Sequence, residues 1–320
     1  IEVSLHVPYP TGLLAFSLFV VIFIIIGGLR GVRYADIVQG LVVFVMVAIL
    51  CFWTYHVLGG IVTAHQTLTM IAPLVPERLV QAGHEGWTTG LRWGSPLWWI
   101  AGSSLIYGVG IGTLVQPPLV TQFLVASSDR ELDRAVLVEG IFMLVVVGGS
   151  LTVGPLTNVL FAQKLGEISI SVAGGNVDKI IPLYVDRIMP WWFGPLFWVG
   201  MLSASLFALR LLFSLGGTSL GRDFYGKAMG FGGAGEVAFT RMGTALIIVA
   251  TILWGLVLPP GVIARATAFF FGVCAVSFLP VYCLGLYWKG VTRAGGIASM
   301  VVGISMSFLW MIFFHGQESA

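Results

Sequence analysis

The sequence predicts an all-α, polytopic membrane protein, and three observations carry that prediction. Hydrophobic residues make up 58% of the chain and charged residues 9%, with a mean hydropathy of +0.98. So few charges cannot solvate the surface of a soluble domain. The apolar residues gather into about eight runs, each near the ~20 residues that a bilayer core requires of a helix. The charged residues fall in short segments between those runs, 16 basic against 14 acidic, so no broad basic face is available for nucleic acid. Cys51, Cys274 and Cys283 all lie inside apolar runs without metal-ligand spacing, which makes them packing residues. No metal and no cofactor is expected. The expectation is one transmembrane domain over residues 1–320, integral and multi-pass in the inner (plasma) membrane, with lipid as its surroundings. The chain opens on Ile1 with no signal peptide, and is expected to be a fragment.

The first run, Leu13 to Gly27, leads into GGLRGVRYAD, a Gly-rich turn with Arg30 and Arg33, and the second extends from about Ala35 to Leu58. A segment with His65, Pro73, Pro76 and several Trp follows, suited to an external loop with a short interfacial helix. The third run, Pro96 to Val125, is interrupted by Gly108, Gly110, Gly112 and Gln116-Pro117-Pro118. Prolines remove backbone donors, so this helix is expected to be broken, with Gly108 to Pro118 unwound. The charged SSDRELDR reads as a turn before a fourth span, Ala135 to about Phe161. Ala162 to Pro195 reads as an external loop ending on the interfacial anchors Trp191 and Trp192. The fifth span carries Arg210. The sixth is Met242 to Leu258, the seventh Val262 to Leu286, the eighth Ile297 to Phe314. Turns holding Arg30/Arg33, Arg130/Arg134, Arg222/Lys227/Arg241 and Lys289/Arg293 fall on one side, which the positive-inside rule makes cytoplasmic.

Arg210 is the anomaly of the chain. A charge at mid-span costs roughly 2.5 to 3.5 kcal/mol on insertion scales and by default marks a pathway, a paired site or a water-filled cavity. Snorkelling is the other reading. The polar end of that helix at Asp223 lies about 20 Å along it, further than a guanidinium stem climbs unaided. Asp36 and Gln39 stand at the start of the second span. Asp36 suits a helix N-terminus for its own sake. Tyr107, Thr113 and Gln116 are polar positions along the broken helix, where they line a substrate cavity or make interhelical hydrogen bonds. Glu139 faces cytoplasmic water or pairs within the bundle, and His56 and His65 are interfacial. No phosphate loop, metal-spaced set or paired nucleophile and base is present, so the chain does not read as an enzyme.

Three stretches together carry a resemblance over most of the chain. GGLRGVRYADIVQG, QPPLVTQFLVA and LGLYWKGVTRAGGIASMVVG, in this order and spacing, resemble conserved segments of the sodium/solute symporter family of proline, sugar and sialic acid carriers. The resemblance implies the five-plus-five inverted-repeat transporter fold, here partial, with substrate and ion sites near the midplane between broken helices. It also implies that the chain begins at about the fourth core helix and runs through the tenth plus one more. In that family a Ser-Thr pair ligates sodium sixteen and fifteen residues before an Asp-x-Tyr ending. Counted back from Asp223, those positions hold Phe207 and Ala208, neither of which offers the oxygen a hard cation requires. Ser203 and Ser205 lie nearby, and a local shift would bring one of them into that role. Ala35 and Gln122 are smaller departures, standing where the family has Thr and Arg.

In that family the acidic residue at the position of Asp36 lies close to the sodium exit route, so the resemblance implies Asp36 as the counter-charge for Arg210 and an ion-site region of Asp36, Gln39, Phe207, Ala208 and Arg210, with a fixed guanidinium in place of a mobile cation. Two functions follow from the resemblance. One is a secondary transporter of a small polar solute with lost or altered sodium coupling. The other is a transporter-derived module that moves no substrate and serves as a sensor domain or as a subunit beside other membrane chains.

Overall fold

A computed structural model describes residues 7–123, 128–231, 233–258 and 263–314. In chain order the main helices are α1 (Tyr9–Val57), α2 (Ile61–Met70), α3 (Glu77–Gln81), α4 (Pro96–Val115), α5 (Pro117–Phe123) and α6 (Asp129–Leu165). They continue as α7 (Ile180–Ile188), α8 (Phe193–Ala228), α9 (Ala234–Val257), α10 (Ile263–Tyr287) and α11 (Arg293–Phe314). Among the described residues no strand occurs, and seven helices are long and apolar enough to cross a membrane, with Tyr9–Ile22 as a shorter apolar segment. The protein is an all-helical, multi-pass membrane protein.

The chain forms two compact units. One comprises Ile1–Ala64 with Leu137–Pro260, the other His65–Val136 with Gly261–Ala320.

In the first unit, helical backbone is continuous over Tyr9–Val57, where the sequence predicts two spans and a Gly-rich turn. The side chains of 23–34, Arg30 and Arg33 among them, lie outside the described residues. Val20 packs with Leu206 and Phe213 of α8 and Ile248 of α9, while Asp36 reaches Arg210, between those same α8 residues. A straight helix would separate Val20 from Asp36 by about 24 Å. Further on, Met46 lies against Gly200, so the contact point moves back along α8 as α1 advances. α1 is therefore not straight between Val20 and Asp36, and from Asp36 to Met46 it runs antiparallel to α8. Glycine permits such approaches: a Cβ on Gly200 would overlap the Met46 sulfur, and one on Gly217 the Thr244 hydroxyl of α9.

Two loops read from the sequence are helical instead. Of the charged SSDRELDR, Asp129 to Arg134 open α6, because the Ser128 hydroxyl accepts from the Glu131 N–H at 3.3 Å and Asp129 and Glu131 suit the positive end of the helix. Within 162–195, Gly166 ends α6 in the left-handed conformation, φ 74°. The Asn158 carbonyl oxygen then takes both the backbone N–H (3.1 Å) and the hydroxyl (2.7 Å) of Ser169, folding the chain back into α7.

In the second unit the interruption predicted over Gly108 to Pro118 narrows to one residue. Ile100–Ile111 is a π-helix, Gly112–Val115 is α-helical, and only Gln116 is extended, φ −62° and ψ 135°. A residue that precedes proline is driven out of the α region, and Pro117 follows it. The glycines stay helical. A Cβ on Gly112 would overlap the Phe271 carbonyl, so that glycine seats α4 on α10. Gly303 does the same between α11 and Ser277 of α10.

Candidate functional site

Arg210 does not stand alone. In the first unit its Nη2 donates to Oδ2 of Asp36, joining α8 to the second half of α1 across 174 residues of sequence. Both side chains are largely enclosed, 16% exposed for Arg210 and 22% for Asp36. The pair sits at the height of the apolar cluster of Val20, Leu206, Phe213 and Ile248, so α8 places the charge among hydrocarbon and α1 supplies the counter-charge. Pairing is what makes an ionised group tolerable at such a position.

The bond uses one leg of the fork. Asp36 Oδ1 and Arg210 Nε are buried without hydrogen-bond partners, and so is Oε1 of Gln39, one turn further along α1 on the same face. Phe207 lies one turn before Arg210 on α8, its ring centroid 5.7 Å from the guanidinium carbon, which offers the cation a π face. Ala208 is exposed. The Ser205 hydroxyl donates to the Met201 carbonyl at 2.9 Å, back into its own helix. Of the five residues expected in the ion-site region, the structure thus brings Asp36, Arg210 and Phe207 into contact and buries a free acceptor of Gln39 beside them.

The residues expected to bind substrate fall in the second unit. Tyr107 is exposed on the π-helical part of α4. Thr113 donates its hydroxyl to the Val109 carbonyl at 2.7 Å. The Gln116 carbonyl, freed from α4 by the break, accepts from the N–H groups of Leu119 and Val120 at 3.1 Å and so caps α5. Glu139 and His56 are exposed, and the His56 ring stacks on Phe52. Among the described residues no group of three His, Cys, Asp or Glu gathers as a metal site.

Sequence reasoning missed one buried polar contact. Thr54 of α1 and Tyr184 of α7, both fully buried, share a hydrogen bond of 2.8 Å, and the Thr54 hydroxyl also meets the Leu50 carbonyl at 2.7 Å. Burial pushes the Tyr184 hydroxyl up to about 12. The available signal was the apolar patterning of IIPLYVDRIM, which reads as a buried helix face rather than a loop.

Known proteins bear on this arrangement. The model of the Sodium:solute symporter family matches residues 1–303. The chain is 25% identical to the sodium/pantothenate symporter of Haemophilus influenzae, covering 97% of this chain and 60% of that protein. It is 24% identical to the sodium/proline symporter 2 of Staphylococcus saprophyticus, over 98% of this chain and 57% of that protein. It is likewise 24% identical to the high-affinity proline transporter PutP of Bacillus subtilis, over 96% and 60%. The chain spans about 60% of the length of these relatives. With a family match over nearly its whole length and seven apolar helices, the chain is an integral membrane protein that belongs to the sodium:solute symporter family.

Proposed function

We propose that the protein is a secondary transporter of a small polar solute, working by alternating access, in which the Asp36–Arg210 pair replaces sodium coupling at the family's ion position. The observation that carries this reading is the pair itself. A guanidinium held in α8 by a carboxylate of α1 supplies a fixed positive charge three residues from Phe207 and two from Ala208, the positions that correspond to the family's hydroxyl ligands. A sodium ion there would lack side-chain oxygens and would be repelled by a like charge, by several kcal/mol at an effective dielectric near 20. The relatives named for proline and pantothenate favour a small carboxylate-bearing solute. Tyr107, Thr113 and the break at Gln116 remain the residues assigned to that solute.

The test is uptake of radiolabelled proline and pantothenate by the full-length protein in proteoliposomes, with sodium exchanged for choline. Equal uptake in both salts is expected. The triple change Phe207→Ser, Ala208→Thr, Arg210→Ser is expected to introduce sodium dependence by restoring the hydroxyls and removing the charge. Sodium-stimulated uptake by the unmodified protein refutes the reading.

A further inference from the structure

The three orphaned atoms around the ion pair have a specific chemistry. Asp36 Oδ1 and Gln39 Oε1 are both acceptors, buried one turn apart on the same face of α1, and neither has a donor. Two acceptors cannot satisfy each other. A single proton on Asp36 Oδ1 changes this, because it turns a carboxylate oxygen into an O–H donor for the Gln39 acceptor one turn away. Meanwhile Oδ2 is already engaged by Arg210 and keeps that contact while the pair is closed.

We propose that Asp36, with Gln39 as hydrogen-bond acceptor and Arg210 as competing cation, is a proton-binding site that couples opening of the pair to proton uptake. This rests on the transporter reading above and supplies the driving ion that reading lacks. In the closed pair the guanidinium occupies Oδ2 and opposes protonation of the carboxylate. When α1 and α8 separate, the carboxylate loses its counter-charge in a low-dielectric setting and takes a proton, which Gln39 then holds. When the pair re-forms, the guanidinium displaces that proton. One proton is bound and one released in each cycle, so the balance is closed. Because proton and guanidinium compete for the same carboxylate, each weakens the other's hold by the same factor.

The surroundings of Asp36 are otherwise free of titrating groups among the described side chains. From α8 the facing group is Arg210. On α9 the charged residues are Glu236, which lies against Gly226, sixteen residues along α8 from Arg210, and Arg241, which is exposed. On α6 they are Glu139, which is exposed, and Lys164 near its end, whereas α1 meets that helix at Gly149, against Val47.

The experiment uses the full-length protein in sodium-free, choline-containing proteoliposomes, with radiolabelled proline and pantothenate as probes. An inward proton gradient is expected to raise uptake of a probe about tenfold and a protonophore to abolish the rise. In Asp36→Asn the ratio of uptake with and without the gradient is expected to fall to one. Gln39→Leu keeps the carboxylate but removes the acceptor, and is expected to need about tenfold more protons for half-maximal stimulation, the worth of one buried hydrogen bond. This second variant carries the test where Asp36→Asn does not fold. Uptake that ignores both the proton gradient and the protonophore overturns the proton site while leaving transport intact. So does an unchanged gradient response in both variants. No uptake of either probe under any gradient removes the transporter reading, and the proton site with it.

Discussion

Replacing Arg210 with Ala should cost far more than replacing both members of the pair. The single change leaves Asp36 as an uncompensated carboxylate with both oxygens unpartnered, in a side chain only 22% exposed. Breaking a buried pair costs ~3–5 kcal/mol, and the residual exposure of Asp36 places this case near ~3 kcal/mol. Removing both groups deletes the charge along with its partner, so Arg210→Ala with Asp36→Ala is expected to lie within ~1 kcal/mol of wild type. The coupling energy of the cycle is then about 2 kcal/mol plus the cost of Asp36→Ala alone. The converse single change, Asp36→Ala, should be milder than Arg210→Ala, because the guanidinium retains the Phe207 ring at 5.7 Å as a second stabilising contact. The assay is denaturant unfolding of the full-length protein in mild detergent, read by tryptophan fluorescence, for the four corners of the cycle. Equal destabilisation by the single and double changes would show that the two charges do not compensate each other, and would refute the reasoning.

Three other perturbations test the scaffold. Gly112→Ala drives a Cβ into the Phe271 carbonyl, which as backbone cannot rotate away, so a loss of ~1–3 kcal/mol is expected. Gly110→Ala two residues earlier meets nothing within 4 Å, and unfolding should show it to be neutral or slightly stabilising. Thr54→Val strands the fully buried Tyr184 hydroxyl and should cost ~1–3 kcal/mol, whereas Tyr184→Phe leaves Thr54 its Leu50 carbonyl and should cost less. The reverse order in thermal unfolding would contradict that. His84 lies in the segment between α3 and α4, where its Nδ1 accepts from the Gly86 N–H at 3.2 Å and burial lowers its affinity for a proton. The unfolded chain then binds that proton more readily. Stability should be full above the ordinary histidine range and fall as pH drops through it, until His84 also protonates when folded. His84→Gln is expected to flatten that part of the stability–pH curve.

How much of this was legible in the sequence follows from which forces act locally. Span length, apolar composition and the charge at Arg210 are properties of contiguous residues, and each was readable because a bilayer sets a length that a helix must meet. The break at Gln116 was readable for the same reason, since Pro117 restricts the residue before it whatever surrounds it. Its extent was not. Gly108, Gly110 and Gly112 predict unwinding on propensity, but Gly112 is a packing surface for α10, and that contact keeps its neighbourhood helical. The loop read over 162–195 failed similarly: Asn158 and Ser169, eleven residues apart, turn the chain back within the first unit, and Tyr184 becomes a buried group rather than an external one. Asp36 was named from the sequence as a partner for Arg210, yet a local reason for an acid at a helix start was equally good. Only the tertiary structure decided between them, because a Coulombic contact depends on distance in space and these residues are 174 positions apart in the chain.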